Sequence, residues 1–335
     1  MKRFLYIFAL FVGSIFLISN SAQPGVWNAG GSGSFTLLYP EDSIAYKKIQ
    51  MQSEKIYMQL YKGFATVKGN YFFNNTTNDT LKIKVGYPIN NVFKNVQFHE
   101  HINEVNVDGL YKIKGFANNK ELQLFEKPNA DNENWYVWEI AFLPNKITEF
   151  TVYFLVNTNN AKIMQGYNSD KKNAFIYLIE TGSLWKSPIE NGDFYTQLKN
   201  NISIKNTKAS SPTSLFFNTD KNILHFNMRD YGKNPDPNFV LSYSETLKDF
   251  NFKEITQKSD FYFSEIDQFS KTKFNEISFE PITLKNVYEV DGISNASISI
   301  IFYLAMYGVP IFLALIAIFI IIMIIKNFRK KKFKI

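Results

Sequence analysis

Residues 55 to 88 read KIYMQLYKGFATVKGNYFFNNTTNDTLKIKVGYP, and their apolar side chains recur at every second position. In TLKIKVGYP, Leu81, Ile83, Val85 and Tyr87 fall on one face, and Lys82 and Lys84 fall on the other. Ile56, Met58 and Leu60 alternate in the same way, as do Ala65, Val67, Tyr71 and Phe73. A period of two is that of a strand, whose successive side chains point to opposite sides. One apolar face and one lysine face describe a sheet with a core on one side. The polar cluster NNTTND, Asn74 to Asp79, is rich in turn formers and predicts a β-hairpin joining the runs on either side of it.

Outward from this stretch the same period continues. Strands are expected near 92–98, 111–115, 122–125, 136–142, 149–156, 174–180, 194–198, 223–228 and 239–243, separated by short polar turns. Many short strands with little helical period predict an all-β chain, a β-sandwich that is either one large domain or two in series. The sandwich is placed at 44–245, with a possible subdivision near 157–170, where NTNNAK and YNSDKK interrupt the apolar pattern. Residues 23–43, with GGSG at Gly30 to Gly33 and no following helix, read as a flexible lead-in rather than a phosphate loop. From 246 to 299 the chain turns polar and less regular, a membrane-proximal segment with room for short helices.

The chain of 335 residues carries a formal net charge of +7 and no cysteine. Without cysteine there is no disulfide, no thiol nucleophile and no cysteine-ligated metal. The positive charge is confined to the ends. Lys2 and Arg3 precede the apolar run Phe4 to Ile18, and residues 1–22 have the form of a signal peptide with Ala22 before the cleavage point. Lys326, Arg329, Lys330, Lys331, Lys332 and Lys334 make a basic tail at 326–335. With those eight cations set aside, the body holds 29 Lys and Arg against 30 Asp and Glu. The overall charge therefore gives no reason to expect a nucleic-acid partner.

Residues 300–325 include LAMYGVPIFLALIAIFIIIMII, Leu304 to Ile325, with no charged residue. Twenty-two residues rise roughly 33 Å as a helix, close to the hydrocarbon thickness of a bilayer. A buried core helix would carry a polar face, and none is visible here. Tyr303 and Tyr307 suit an interfacial aromatic belt, Gly308 and Pro310 a kink, and the basic tail the cytoplasmic side. The expected place is a bacterial cytoplasmic membrane, with the β body in the periplasm or outside the cell and the C terminus in the cytoplasm.

Few residues suggest chemistry. His99 and His101, two apart, would share one side of a strand as candidate metal ligands, but no third ligand is near them in sequence, and no cofactor is expected. His225 reads as the outward member of an alternating strand. Glu180, Glu190 and Asp193 flank Trp185, and a glycan hydrolase would need two such carboxyls about 5 to 9.5 Å apart. Trp135, Tyr136, Trp138 and Trp185 are either core residues or a ligand platform, and packing is the first expectation.

Four segments taken in order, IQMQSEKIYMQL, NYFFNNTTNDTLKIKVGYP, YLIETGSLWKSPIENGDF and HFNMRDYGKNPDPNFVLSY, resemble a family of exported bacterial proteins whose β-rich domain has no assigned function. Thr181, Gly182, Trp185, Pro188 and Ile189 match its T-G-x-x-W-x-x-P-I block. The first half is also similar to the vault/inter-alpha-trypsin domain, although no D-x-S-x-S metal motif follows it. Both resemblances imply a β-sandwich, with 181–189 as a structural loop signature and no activity attached. The functional expectation is a membrane-anchored, non-enzymatic protein that binds a partner protein or an envelope polymer through edge strands or the Trp185 loop. The alternatives are a membrane-tethered envelope glycan hydrolase using Glu180 and Glu190, and a receptor subunit signalling through a partner.

Overall fold

A computed structural model of the chain describes residues 25–27, 30–33, 46–88, 110–123, 135–165, 168–179, 182, 185–234, 236–289 and 303–332. In chain order the strands are β1 (Gly25–Trp27), β2 (Gly30–Gly33), β3 (Ile49–Tyr61), β4 (Phe64–Asn75), β5 (Leu81–Pro88), β6 (Leu110–Ala117), β7 (Lys120–Leu122), β8 (Trp135–Phe142) and β9 (Ile147–Asn157). They continue with β10 (Ala161–Gln165), β11 (Asn168–Leu178), β12 (Ile189–Leu198), β13 (Lys208–Ser210), β14 (Leu215–Asn218), β15 (Ile223–Tyr231), β16 (Phe239–Glu245), β17 (Glu280–Ile282) and β18 (Lys285–Asn286). Helices α1 (Phe252–Gln257) and α2 (Ser259–Ser270) lie between β16 and β17, and α3 (Val309–Lys332) follows the β body. The chain is thus mostly β-sheet with one apolar C-terminal helix.

A nine-stranded sheet runs β17-β14-β15-β12-β3-β4-β9-β6-β7. A second sheet runs β1-β10-β11-β16-β13-β18, with β2 pairing β11, and β5 and β8 form a separate two-stranded ribbon. One apolar core joins all three. Tyr177 of β11 meets Phe194 of β12 edge-on at 5.6 Å, and Phe239 of β16 lies 4.6 Å from Phe226 of β15. Farther along the nine-stranded sheet, Phe142 of β8 approaches Phe73 of β4 at 5.8 Å, and Trp138 approaches Phe150 of β9 at 5.7 Å.

The hairpin expected across Asn74 to Asp79 does not form. β4 pairs with β3 through a turn at Lys62 and Gly63, where Gly63 takes φ +94°, and with β9 on its other side. β5 pairs instead with β8. The cause is Asn75, which is fully buried. Its Oδ1 accepts from the Thr77 backbone N–H at 3.0 Å, an Asx turn, while its Nδ2 donates to the carbonyls of Asp79 and Phe142. That turn sends the chain out of one sheet and into the ribbon.

Two other sequence boundaries shift. Within 23–43, read as a flexible lead-in, Gly25–Trp27 pairs antiparallel with β10, and Gly30–Gly33 pairs parallel with β11. Gly30–Gly33, GGSG, was hidden because it has no apolar side chain to reveal a period, and Gly25–Trp27 because three residues are too few to show one. The 157–170 region is not a break in the nine-stranded sheet, since β4 and β9 before it and β12 and β15 after it belong to that same sheet.

The inward set of β3 is Glu54, Ile56, Met58 and Leu60, all buried. A register shift between Met51 and Ser53 re-aims the strand so that Ile49 and Met51 are also buried. Beside Glu54, β12 carries Gly192 and β4 carries Tyr71. The Tyr231 ring lies over Gly192, and a Cβ there would sit 2.3 Å from the Tyr231 hydroxyl and 2.8 Å from Phe194.

The C-terminal helix is a separate unit. Leu304–Lys326 is long and apolar enough to cross a membrane, and none of its apolar window is buried within the chain. Leu304–Gly308 is a π-helical turn that ends just before Pro310. Pro310 lacks an N–H and its ring would crowd the carbonyl of Met306, which a widened turn relieves.

Gly192→Ala is expected to cost about 1 to 3 kcal/mol in a denaturant titration, because buried Tyr231 and Phe194 have little room to yield. A loss below about 0.5 kcal/mol would show that the Tyr231 ring is free to move.

Candidate functional site

The segment after β16 forms a strap across the outward face of the nine-stranded sheet. Asn251 caps α1, its side chain accepting from the Lys253 backbone N–H at 3.1 Å. In α2, Ser259, Phe263, Ile266 and Phe269 recur at helical spacing and are buried, so the helix lays one stripe on the sheet. Phe263 contacts Tyr153 of β9, and Phe269 meets Tyr57 of β3 edge-on at 6.2 Å. After α2, Phe274 stacks on Tyr195 of β12 at 3.8 Å.

Each acid of α2 reaches a polar group of the sheet. Asp260 pairs with Lys114 of β6 at 3.0 Å, and Glu265 accepts from the Tyr61 hydroxyl of β3 at 2.9 Å. Asp267 is the centre of the set. It pairs with Lys68 Nζ at 2.8 Å, accepts from the Tyr153 hydroxyl at 2.9 Å and pairs with Lys271. The Lys68 side chain is only 10% exposed, and its Nζ also donates to Ser270 Oγ at 2.9 Å. Burial alone would push the Asp267 carboxyl up, but hydrogen bonds from Lys271, Lys68 and Tyr153 outweigh it and hold the group at about 2. The same environment, burial first and then Asp267, raises the Tyr153 phenol.

The strap then closes two sheet edges. β17 pairs with β14 at one edge of the nine-stranded sheet, and β18 pairs with β13 at one edge of the second sheet. Unpaired edges invite strand addition, so short covering strands at both are protective.

The 181–189 block lies at the start of β12. Thr181 lies outside the described residues, while Gly182, Trp185, Pro188 and Ile189 come together. Trp185 is 0% exposed, between Tyr46 and Phe73, with ring centroids 4.5 Å away on each side. Gly182 packs against Ile189, whose Cδ1 would stand 2.7 Å from a Cβ at that position. The indole is therefore spent on the core, the first expectation for it, while Lys186 and Ser187 of the same loop are exposed. Trp138 is likewise buried, and the side chains of Trp135 and Tyr136 lie outside the described residues.

Of the acids proposed for hydrolysis, Glu180 lies outside the described residues. Glu190 accepts from Gln50 at 3.3 Å and from Gln52 at 3.2 Å, one at each carboxylate oxygen. His99, His101 and Lys334 also lie outside the described residues, as do the side chains of Arg329, Lys330, Lys331 and Lys332. Among the described residues no group of three His, Asp or Glu side chains is placed to hold a metal.

His225 does face outward, but the strap covers it. Its ring stacks on Tyr195 at 4.5 Å and lies 5.2 Å from Phe279. Asp193 Oδ1 is 3.7 Å from His225 Nε2, an electrostatic contact beyond hydrogen-bond length. The imidazole beside Asp193, opposed by burial and aided by Arg229 and Lys55, holds its carboxyl below the usual range.

Two features escaped the sequence reading. Glu54 shares parity with Ile56, Met58 and Leu60, so an acid on an apolar stripe was the available signal. Lys68 and Asp267 are 199 residues apart and carry no mutual signal.

No family model matches this chain, and no curated protein matches it. Among solved structures it is similar to a candidate nutrient-binding protein of Legionella pneumophila at 15% identity, covering 65% of this chain and 72% of that one, with a TM-score of 0.46. It is also similar to an M1 zinc metallopeptidase of Deinococcus radiodurans, at 5% identity, 58% and 42% coverage and a TM-score of 0.31. A third similarity is to leukotriene A4 hydrolase of Saccharomyces cerevisiae, at 8% identity, 59% and 29% coverage and a TM-score of 0.34. The chain thus spans less than half the length of the peptidase and the hydrolase, and these distant likenesses carry no functional argument.

Asp267→Asn is expected to lower stability by about 1 to 2 kcal/mol at pH 7. The carboxyl is held below its ordinary 3.8, so its contribution is complete above that value and disappears as the pH falls through about 2. Unfolding midpoints at pH 7 and pH 2 check this: the gap between wild type and variant closes in acid, and a gap that persists contradicts the assignment. Trp185→Ala is expected to cost about 3 to 5 kcal/mol, measurable by calorimetry as a general loss of stability.

Proposed function

We propose that this chain is a non-enzymatic β-sandwich protein, anchored in a membrane by α3 and displayed outside the cytoplasm, that binds a partner protein or an envelope polymer. The observation that carries the reading is the apolar Leu304–Lys326 helix, none of whose apolar window is buried in the chain, following a β body of nearly balanced charge. Without a polar face, such a helix has its natural solvent in lipid. The signal-like residues 1–22 and the basic residues from Lys326 to Lys334 support an exported body and a cytoplasmic tail.

The sandwich is inferred from core contacts that join the two large sheets, such as Tyr177 with Phe194 and Phe226 with Phe239. With Trp185 buried, the binding surface passes to the strand edges. At the end of the nine-stranded sheet remote from the strap strands, β7 is short, and Lys120 and Glu121 are exposed. A partner that adds a strand there would gain main-chain hydrogen bonds without disturbing the core.

The full chain is expected to remain with membranes after alkaline carbonate extraction, and a chain ending at residue 302 is expected to be released. Extraction of the full chain would overturn the anchor. Tagged at its C terminus and probed in intact spheroplasts, the protein should keep its tag when protease is added outside, whereas digestion of the tag would reverse the orientation.

A further inference from the structure

We propose that Glu54 is a proton-gated clamp between the two large sheets, closing the seam when its carboxyl is protonated and loosening it when ionised. The side chain is 2% exposed on the inner face of β3. Oε2 accepts from the Tyr177 hydroxyl of β11 at 2.7 Å, and Oε1 accepts from the Tyr231 hydroxyl of β15 at 2.5 Å. Tyr177 is in turn 3.1 Å from the Tyr71 hydroxyl of β4, an arrangement in which either oxygen can donate. One carboxyl therefore ties a strand of the second sheet to three strands of the first.

Two irregularities aim these groups inward. The shift between Met51 and Ser53 sets the parity of Glu54, and Asp230 at φ 50° does the same for Tyr231. Glycines make the space, since a Cβ at Gly192 would strike Tyr231 and one at Gly69 would strike Tyr71.

The ring of hydroxyls accommodates both protonation states. Ionised, the carboxylate accepts from Tyr177 and Tyr231, and Tyr71 donates to Tyr177. Protonated, Glu54 donates to Tyr177, Tyr177 donates to Tyr71, and Tyr231 still donates to Glu54. The contacts are the same in number and only the hydroxyl hydrogens turn. What differs is a buried negative charge. Among the described residues the ionisable groups facing it are Tyr177, Tyr231 and, through Tyr177, Tyr71, with Asp236 acting on Tyr231, and no cation contributes to the shift of its carboxyl. Burial pushes the carboxyl up to about 7 despite the hydrogen bonds from Tyr231 and Tyr177. Because the native value lies above the ordinary 4.5, the native state holds the proton more tightly than the unfolded chain does. Stability is then undiminished below about 4.5 and declines as the pH rises toward 7, where the native group itself ionises.

Hydrogen exchange in the full chain, held in detergent micelles, tests this. Protection in peptides covering 49–61 and 168–178, corrected for the intrinsic pH dependence of exchange, should fall roughly thirty-fold between about pH 5.5 and 8.5 in the wild type. Glu54→Gln presents an acceptor and a donor at the same two places and never ionises, so its protection should stay flat over that range. An equal fall in both proteins overturns the proposal, as does a flat wild-type profile. Should Glu54→Gln fail to fold, Tyr231→Phe decides. Removing a donor to the carboxylate should move the end of the decline to higher pH, and an unmoved profile overturns the clamp.

Discussion

Burial of β3 on both faces is the constraint on which the rest depends. Its inner positions, from Glu54 to Leu60, build the core shared with the second sheet, and its outer positions, Tyr57 and Tyr61, receive the strap. A strand so placed cannot slip by one residue without carrying Glu54 outward and Tyr57 inward. Its two neighbours reinforce the register, β4 through a tight antiparallel turn and β12 through a parallel pairing with a strand 138 residues away.

Charge placement follows from the same constraint. The outer face of the sheet is polar at Lys68 and Gln59, and these positions are buried because a helix with matched acids covers them. Asp267 shows how a carboxyl is kept ionised under partial burial, by Lys271, Lys68 and Tyr153 together. Glu54 shows the opposite outcome inside the core, where hydroxyl donors only partly offset the loss of water. Two acids of one domain thus have pKa values displaced in opposite directions, and among the described residues the difference is that lysines reach Asp267 while only tyrosine hydroxyls reach Glu54.

The strand content was legible because alternation survives in β4, β5, β8 and β15 whatever they pair with. Pairing was not legible, and the NNTTND cluster illustrates why. A turn-forming sequence specifies a change of direction, but the side chain of Asn75 decides the destination through a carbonyl of Phe142, 67 residues away. Trp185 was ambiguous for a similar reason, since an aromatic in a loop serves equally as a contact or a plug until Tyr46 and Phe73 are known to flank it. The strap read only as a polar, less regular segment with room for short helices, because the partners of its charges lie far away in the chain.

From the sequence alone, this protein is a mostly β chain with its positive charge at the ends and an apolar stretch of membrane-spanning length. These are local properties, carried by period, composition and hydropathy within a few tens of residues. Tertiary structure alone decided that Glu54 and Tyr231 meet, that Lys68 is covered by Asp267, and that Trp185 is spent on packing. Such outcomes depend on contacts between residues far apart in the chain, and only the folded arrangement sets the desolvation and pairing that give an ionisable group its character.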